Sequence, residues 1–541
     1  MLVKTYSSAV YGVDAIVITV EVNITEGLYT FLVGLPDEAL KECLPRIESA
    51  IKTNDLQMPR TKVIINLAPA GIRKSGAAFD LPIALAMLAA SGQIDNPERL
   101  QDFCILGELG LDGAIHPVKG ALPIAIQTQQ QNFKALILPA KNAREAAVVK
   151  GLTVLAFTEL REVVDFFNGV SEGPEPADAD AELEFFKSPN ETSSPLPRVL
   201  PVLKTTDNLI PPDPAPDFDF SDVKGQESVK RALEIAAAGG HNALLIGPPG
   251  VGKTMLAQRL PSILPPLTLN EALETTRVYS VAGKLVDTGS IVCRRPFRSP
   301  HHTTSANALV GGSSHPQPGE ISLAHNGVLF LDELPEYSRY VLEVLRQPME
   351  ERKVTISRTS LTVDFPANFM LLASMNPCPC GYHGHPEKEC ICPPGAVLKY
   401  FNRVSGPLLD RIDLHIEVTP VSGTDLLDTT IKGEPSAQIR QRVIAARQIQ
   451  RIRYETMGRP DIHCNAQIRS HLMRKVCAIG PESYHTLANA MQSLHLSARA
   501  YDRILKVSRT IADLEASLTI EEGHIAEAIQ YRSLDRESWM Y

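Results

Sequence analysis

The sequence predicts a multidomain protein that combines an α+β unit, an α/β unit and a helical C-terminal region. Three observations lead to this prediction. A glycine-rich loop at Gly247–Thr254 separates an apolar strand from a helix start, strand and helix patterns mix before it, and a proline-rich acidic segment divides the two regions. We expect domains at 1–168, 218–420 and 421–541, with a linker at 169–217.

The composition is typical of a globular protein. Of the 541 residues, 44% are apolar, which is enough for several units to bury a core.

The longest nearly uncharged apolar stretch, Leu81–Gln93, is too short to cross a bilayer, and Asp14 and Glu21 occupy the region where a signal peptide is uncharged. We therefore expect a cytoplasmic protein without a membrane partner, whose nine cysteines are thiols or metal ligands.

The net charge of −9 does not decide whether the chain binds nucleic acid. The segment Ser171–Asp222 contains twelve acidic and three basic residues, which accounts for the whole excess of negative charge. The remainder is formally neutral and can still carry basic grooves. Because the proline-rich acidic part cannot bury enough apolar surface to offset its chain entropy, we expect it to be a linker.

Residues 1–168 show the patterns of a compact α+β unit. The predicted strands are Ala15–Val22, Leu28–Val33, Lys62–Leu67, Ala135–Leu138 and Thr153–Phe157, with a hairpin over Cys104–Ile115. The predicted helices begin at Pro36, Phe79, about Val118, Ala143 and Glu159.

The loop GPPGVGKT is the strongest functional signal in the sequence. It follows the apolar run Asn242–Ile246 and opens a helix, which is the context that a phosphate-binding loop requires. Glycines allow successive N–H groups to turn onto phosphate oxygens, and the helix N-terminus adds a positive dipole end. We expect ATP to be bound by Gly247, Pro248, Pro249, Gly250, Val251, Gly252 and Lys253, and Mg²⁺ by Thr254.

Two adjacent acids, Asp332 and Glu333, follow the apolar run Gly327–Leu331. The first suits Mg²⁺ binding and the second suits polarisation of a water molecule. The predicted strand Phe369–Ser374 leads to Asn376, which we expect to orient the attacking water. This role depends on the surrounding motifs, because an isolated strand-end asparagine is usually a turn former.

A cysteine cluster follows Asn376 directly. Two C-x-C pairs, nine residues apart, bracket two histidines in CPCGYHGHPEKECIC. Four thiolates this close can surround Zn²⁺ tetrahedrally and brace a loose loop. Because the usual pairs are C-x-x-C, free thiols remain the alternative for these four residues, which are Cys378, Cys380, Cys390 and Cys392.

The motifs GPPGVGKT, VLFLDE, LLASMN and GPLLDRID together resemble those of the AAA+ ATPases. Two longer stretches, Arg295–Gly312 and Pro318–Glu336, resemble the magnesium-chelatase-like branch. Within that branch, SAVYGVDAIVITVEV and KSGAAFDLPIALAML resemble the ComM-type, or YifB-type, proteins. The resemblance implies a P-loop AAA+ αβα core followed by a C-terminal helical lid.

The resemblance also implies a homo-hexameric ring with active sites between subunits. Arg411 matches the arginine finger that neutralises charge on a neighbour's γ-phosphate. Arg499 matches the sensor-2 arginine of the lid, and Arg503, one helical turn away, is the alternative.

DNA contacts are expected from elements that face the ring pore in related motors. These are a predicted hairpin within 351–366 and the insert around His301 and His302. The candidate contact residues are Arg298, Lys353 and Arg358.

The N-terminal unit resembles the proteolytic domain of Lon-type proteases, a fold similar to the second domain of ribosomal protein S5. Lys119 occupies the position of that family's catalytic lysine. The serine motif departs from the pattern, since KSGAA stands where Lon-type enzymes have G-P-S-A-G and Ser75 is one position out of register. We therefore expect a non-proteolytic domain.

These features predict an ATP-driven ring motor acting on single-stranded or branched DNA, with helicase or branch-migration activity in DNA uptake and recombination implied by the resemblance. One alternative is a chelatase-type motor that remodels a protein partner. Another is an ATP-gated peptidase that uses Ser75 and Lys119.

Overall fold

The computed structural model describes residues 1–71, 74, 76–169, 198–200, 218–285, 291–312, 316–358, 361–421 and 433–532. An eight-stranded mixed sheet and a five-stranded parallel sheet organise these residues, together with two pairs of short strands. The mixed α/β architecture agrees with the predicted fold class. Within these ranges, no helix is both long enough and apolar enough to cross a bilayer.

The N-terminal region forms the eight-stranded sheet, in the order β10-β9-β8-β5-β1-β2-β4-β3. Its strands are β1 (Leu2–Tyr11), β2 (Asp14–Thr25), β3 (Thr30–Val33), β4 (Lys62–Ala68), β5 (Phe103–Ile105), β8 (Ala135–Pro139), β9 (Val154–Phe157) and β10 (Arg198–Leu200), while β6 (Glu108–Leu109) and β7 (Ile115–His116) pair separately. The helices are α1 (Glu38–Lys41), α2 (Cys43–Thr53), α3 (Asp80–Ala90), α4 (Ala121–Gln130), α5 (Ala143–Ala146) and α6 (Leu160–Phe167).

Helix α3 lies at the centre of this region. All of its side chains are buried, and it packs against β1 and β2. Such a helix has no polar face, so its single charged residue needs a partner. Asp80 has one, since Arg46 donates from Nε to its carboxylate at 2.8 Å.

The central region forms the parallel sheet, in the order β12-β13-β16-β11-β17. Its strands are β11 (Ala243–Ile246), β12 (Phe297–Arg298), β13 (Val328–Leu331), β16 (Met370–Met375) and β17 (Leu414–Glu417), and β14 (Lys353–Arg358) pairs with β15 (Leu361–Pro366) in a hairpin. The helices are α7 (Glu227–Gly239), α8 (Lys253–Ile263), α9 (Leu269–Val281), α10 (Ala306–Val310), α11 (Glu320–Leu323), α12 (Arg339–Val344), α13 (Arg346–Glu351), α14 (Ala396–Phe401) and α15 (Gly406–Leu409).

Strand β11 shows how the parallel sheet is buried on both faces. Ala243 and Leu245 join the hydrophobic cluster that includes α7 and α8, whereas Leu244 and Ile246 join the cluster on the opposite face. A strand covered on both sides requires an uninterrupted apolar sequence. This explains why the strand before the glycine-rich loop could be predicted from the sequence.

The C-terminal helices share a core with the central region. They are α16 (Ser436–Thr456), α17 (Ser470–Val476), α18 (Pro481–Ser493), α19 (Ala498–Leu514) and α20 (Glu522–Gln530). One hydrophobic cluster contains Val443 of α16 and Ile504 of α19 together with Leu233 of α7. The helical C-terminal region was predicted, but the continuity of its core with the α/β region was not.

The N-terminal region packs against α9 and the β14–β15 hairpin. Buried Glu145 accepts a hydrogen bond from the hydroxyl of Ser280, at the end of α9. The N–H of Gly120 donates to the carbonyl of the same serine at 3.2 Å. The hydroxyl of Tyr11 donates to the carbonyl of Thr362 in the hairpin at 3.2 Å.

The structure differs from the sequence prediction in three places. β1 was not predicted, although it pairs with β2 along its whole length. The predicted hairpin over Cys104–Ile115 contributes β5 to the main sheet, and only β6 and β7 form a hairpin. Within the predicted linker 169–217, β10 pairs with β9, and the linker's residues 170–197 and 201–217 lie outside the described ranges.

Candidate nucleotide site

The candidate site lies at the carboxyl ends of the parallel strands. Strand β16 lies between β11 and β13. Because parallel strands end at the same edge, this order brings Asn376, after β16, between the loop after β11 and Asp332 after β13. Side chains that are 78 residues apart (Thr254 and Asp332) and 123 residues apart (Lys253 and Asn376) therefore meet at one edge.

The glycine-rich loop connects β11 to α8 and needs glycine at defined positions. A Cβ atom on Gly247 would collide with the carbonyl of Val418. Gly250 and Gly252 have φ angles of +82° and +88°, and Gly252 is the residue directly before α8. These conformations are accessible to glycine at low energetic cost, so the loop can direct its N–H groups toward a bound anion.

Lys253 begins α8 and is held over the loop. Its Nζ donates to the carbonyls of Gly247 and Pro248 at 2.7 and 2.9 Å and to Oδ1 of Asn376 at 2.9 Å. Burial lowers the pKa of Lys253, while the charges of Asp332 and Glu333 oppose this shift.

Thr254 and Asp332 form the second half of the site. The threonine hydroxyl donates to Oδ2 of Asp332 at 2.8 Å. Oδ1 of the same carboxylate accepts hydrogen bonds from the hydroxyl of Ser374 and from the N–H of Glu333 at 3.1 Å. A hydroxyl and a carboxylate oxygen at this separation fit two ligand positions of Mg²⁺.

Glu333 occupies a strained backbone conformation. Its φ of 53° lies in the left-handed region, which a non-glycine residue adopts at an energetic cost. Its N–H is fixed by Asp332 and by Ser374 at 3.3 Å. The side chain is 57% exposed, and its Oε2 lies 3.6 Å from Nδ1 of His302. The carboxylate is therefore directed by its backbone and accessible from solvent.

Sequence reasoning did not assign Ser374 or His302 to this site. Ser374 was predicted only as a strand residue, and His302 was expected to face the ring pore. His302 also packs against His301, with ring centroids 4.1 Å apart and the ring planes tilted by 34°. The only sequence signal was the length of the motif around His301 and His302, which indicates importance but not position.

A cavity of about 580 Å³ opens beside the acidic pair. Its lining includes Glu333, Asn376 and His302, together with the cationic side chains of Lys399 and Arg403. Arg403 pairs with Glu336 at 2.9 Å. The cavity is therefore lined by a carboxylate that can act as a base, Glu333, and by the cations of Lys399 and Arg403, which can attract a phosphate group.

The structure distinguishes the predicted arginines. Arg411 is 7% exposed, donates to the carbonyl of Pro407 at 2.6 Å and pairs with Glu350 at 2.7 Å. Arg503 pairs with the fully buried Asp413 at 2.9 Å. Arg499 is 56% exposed, against 20% for Arg503, and lies 3.9 Å from Asp410, the residue before Arg411 in the sequence.

Two of the three predicted DNA-contact residues form ion pairs within the chain. Arg298 forms two hydrogen bonds with Glu320, at 2.6 and 2.8 Å. Lys353 pairs with Asp364 across the hairpin at 2.7 Å. Arg358 is the last residue of β14, and its side chain lies outside the described structure.

The two residues of the peptidase alternative are not brought together by any described contact. Ser75 lies outside the described ranges. Lys119 is exposed, and its hydrocarbon chain lies along Gly283, just after α9. The described position of Lys119 is thus at the contact between the N-terminal and central regions.

The parallel sheet carries a loop of the phosphate-binding type, the Thr254–Asp332 pair and Asn376 between them. Together these features define a P-loop module of the AAA+ type. Comparison with known families agrees with this class. Profiles match residues 20–142 ("Subunit ChlI of Mg-chelatase"), 219–426 ("Magnesium chelatase, subunit ChlI") and 433–532 ("Magnesium chelatase, subunit ChlI C-terminal"). The chain belongs to the magnesium-chelatase-like family, in the group of the ComM and YifB proteins.

Individual relatives define the match more closely. Competence protein ComM of Haemophilus influenzae is 42% identical over 99% of this chain and 98% of its own length. YifB of Escherichia coli is 42% identical over 98% of this chain and 97% of its own. The magnesium-chelatase 38 kDa subunit of Rhodobacter capsulatus is 27% identical over 38% of this chain and 56% of its own. The family indicates an AAA+ ATPase that uses ATP and Mg²⁺.

Proposed function

We propose that this protein is a ring-forming motor that hydrolyses ATP and acts on DNA. The arrangement of Lys253, Thr254, Asp332, Glu333 and Asn376 supports the hydrolytic part. The near-full-length similarity to a protein named for competence, the capacity of bacteria to take up DNA, supports the DNA part.

In the proposed reaction the loop N–H groups and Lys253 bind the β- and γ-phosphates. Thr254 and Asp332 would hold Mg²⁺, which would neutralise phosphate charge when bound. Glu333 accepts a proton from the attacking water, and Asn376 orients that water. His302 positions the carboxylate of Glu333. Most of the rate enhancement comes from groups fixed before the reaction begins.

A Glu333→Gln variant tests the hydrolytic assignment. It keeps the shape of the side chain but removes the base, so we expect near-normal ATP binding and turnover lowered about 100-fold or more. Glu336→Gln is the matched control, because Glu336 lines the same cavity but pairs with Arg403. Unchanged turnover in Glu333→Gln, or equal losses in both variants, would refute the assignment.

We further propose that the C-terminal helices act as the lid and that the ring is a homo-hexamer. Arg499 lies 3.9 Å from Asp410, the residue that precedes Arg411 in the sequence, and this supports a common site for the two arginines. In a closed ring both arginines would act on ATP bound by the adjacent subunit. Arg411 would first have to leave Glu350.

The β14–β15 hairpin is the proposed DNA-contacting element. Val354 and Ile356 face the core, which leaves Lys353, Thr355 and Ser357 on the exposed face. An exposed lysine and two exposed hydroxyls suit a sugar–phosphate backbone, whose phosphate would replace Asp364 as the partner of Lys353. Arg358, Lys353 and Arg298 remain the proposed contacts.

DNA dependence of the ATPase tests this proposal. At low salt we expect single-stranded DNA or a four-way junction to stimulate hydrolysis and to be unwound in a strand-displacement assay. Arg358→Ala should remove most of the stimulation and preserve basal hydrolysis. Arg474→Ala, an exposed arginine on α17, is the control. Absence of DNA binding in the wild-type protein would refute the DNA assignment.

Similarity to a magnesium-chelatase subunit favours a second candidate, a motor that remodels a protein partner. Both candidates use the same ATP site. Stimulation of hydrolysis by a protein from the same cell, with none by DNA, would favour the second.

We also propose that the N-terminal region is a Lon-like domain without protease activity. The exposed position of Lys119 along Gly283 supports a structural role for this lysine. Casein cleavage that disappears in Lys119→Ala would contradict the proposal.

A further inference from the structure

Residues 377–395 form an unusual connection between β16 and α14. These nineteen residues contain no helix or strand, and none of them belongs to the hydrophobic clusters of the described chain. Connections of this length without their own secondary structure are uncommon in compact domains. The segment needs a source of order other than apolar burial.

Four cysteine sulfurs lie close together inside this segment. Cys378 Sγ is 3.3 Å from Cys380 Sγ and 3.8 Å from Cys390 Sγ, and the latter two are 3.6 Å apart. Sγ of Cys392 completes a group whose members all lie within 4.8 Å of one another. A tetrahedron of sulfurs at the usual zinc–sulfur distance of about 2.3 Å has edges of about 3.8 Å. The three separations among Cys378, Cys380 and Cys390 are close to this edge length, and Cys392 is near enough to supply the fourth ligand.

The surroundings of the sulfurs also fit a metal site. The N–H groups of Gly381 and His383 donate to Sγ of Cys378, at 3.2 and 3.3 Å. Such hydrogen bonds stabilise and orient thiolate ligands. Nδ1 of His385 instead accepts from the N–H groups of Glu387 and Lys388, so this histidine organises a turn outside the sulfur group.

The segment touches the phosphate loop directly. Gly381 is buried against Pro249, and a Cβ atom on Gly381 would lie 2.5 Å from Cδ of that proline. Asn376, which holds Lys253, directly precedes the segment. The position of the cysteine loop is therefore linked to both sides of the nucleotide site.

We propose that Cys378, Cys380, Cys390 and Cys392 bind one Zn²⁺ and that the closed loop braces Pro249 in the phosphate loop. Zinc suits this role because it takes four thiolates tetrahedrally and does not change oxidation state. Iron–sulfur clusters also use four cysteines, but they hold several metal atoms and need more widely spaced sulfurs. Metal binding does not depend on the proposed function, whereas the bracing role rests on ATP binding at the loop.

Metal analysis of the full-length protein, purified under reducing conditions without chelators, tests the first part. We expect one zinc per chain and, after exchange with Co²⁺, the absorption spectrum of a tetrahedral thiolate site. Cys390→Ser should lose the metal, and Cys293→Ser, a half-buried cysteine outside the cluster, should keep it. Iron in place of zinc, or no metal with four freely titrating thiols, would overturn the assignment. These wild-type results decide the question even if Cys390→Ser does not fold.

A pair of glycine substitutions tests the bracing role. Gly381 and Gly384 both have positive φ angles, +84° and +74°, but only Gly381 lies against Pro249. Gly381→Ala should retain zinc and weaken binding of a fluorescent ATP analogue at least 10-fold, whereas Gly384→Ala should bind it normally. Equal affinities in the two variants would overturn the bracing role. Failure of the wild-type protein to bind the analogue would instead count against the proposed ATP function.

Discussion

The amide of Asn376 holds the ammonium group of Lys253, with Oδ1 2.9 Å from Nζ. This contact connects the strand between the two nucleotide motifs to the phosphate loop. Asn376→Ala should lower turnover about 10- to 100-fold with a smaller loss of ATP affinity, because both the lysine and the attacking water lose orientation. Phosphate release and binding of a fluorescent ATP analogue measure the two effects. The control is Asn402→Ala, at the end of α14, and equal turnover in the two variants would contradict the role.

Two adjacent histidines provide a matched test of the contact with Glu333. His302 Nδ1 lies 3.6 Å from the Glu333 carboxylate, whereas His301 Nδ1 contacts the hydroxyl of Thr303 at 2.9 Å. We expect His302→Ala to lower kcat about 10-fold at unchanged KM, because the base is less well positioned. His301→Ala should retain normal turnover. A larger loss of turnover in His301→Ala than in His302→Ala would contradict the positioning role of His302.

Arg499 and Arg503 should separate catalysis from stability. Arg503→Ala leaves Asp413 buried without its ion-pair partner, which should cost about 3–5 kcal/mol and lower the thermal midpoint. Arg499→Ala removes an exposed side chain, so the midpoint should not change while ATP turnover falls. Thermal unfolding and ATPase assays on both variants check this expectation. A stable Arg503→Ala protein with the larger catalytic loss would reverse the assignment of the lid arginine.

Subunit mixing tests whether Arg411 acts across an interface. Lys253→Met and Arg411→Ala proteins should each be nearly inactive alone. In a mixed ring, an Arg411→Ala subunit supplies an intact loop and a neighbouring Lys253→Met subunit supplies an intact arginine. At equal mixing, roughly a quarter of the interfaces have this combination. ATPase activity should therefore reappear on mixing. No recovery, despite demonstrated subunit exchange, would indicate that Arg411 acts within its own subunit.

Two buried histidines should make the protein less stable in acid. Burial lowers the pKa of His241 despite the nearby Asp413, and burial together with Arg532 lowers that of His415. Both histidines therefore take up a proton at a lower pH in the folded chain than in the unfolded chain, where they protonate below about pH 6.5, so stability falls as the pH drops. We expect this loss between about pH 7 and 5, observable as a falling thermal midpoint. His241→Gln should reduce the decrease, and a midpoint constant over this range would contradict the expectation.

Asp413 should add a second loss of stability at lower pH. Burial alone would raise the pKa of this carboxyl, but the positive charge of Arg503, 2.9 Å away, and the nearby imidazole of His241 lower it well below its usual value. Its contribution is therefore present above about pH 4 and is lost as the pH falls further.

The sequence predicted the parts of the site that form locally. The loop before α8 and the acids after β13 could be identified because each motif contains its own strand and turn signals. The contacts of Ser374 and His302 could not, since they depend on the order of strands in the sheet. The pairing of Arg411 with Glu350 was also unpredictable, because side-chain partners on different elements leave no periodic pattern. β1 was missed for a different reason: apart from Val3, its buried residues are the small polar Thr5, Ser7 and Ser8, which give no apolar alternation.

The contact between Tyr11 and Thr362 has a mechanical consequence. The turn after β1 rests on the hairpin, with Val10 and Val13 packed against the cluster that contains Val363. If ATP hydrolysis moves the hairpin, as the proposed function implies, that motion must carry the N-terminal region with it or break this contact. The N-terminal region would then resist the motion of the hairpin, and hydrolysis would have to work against it.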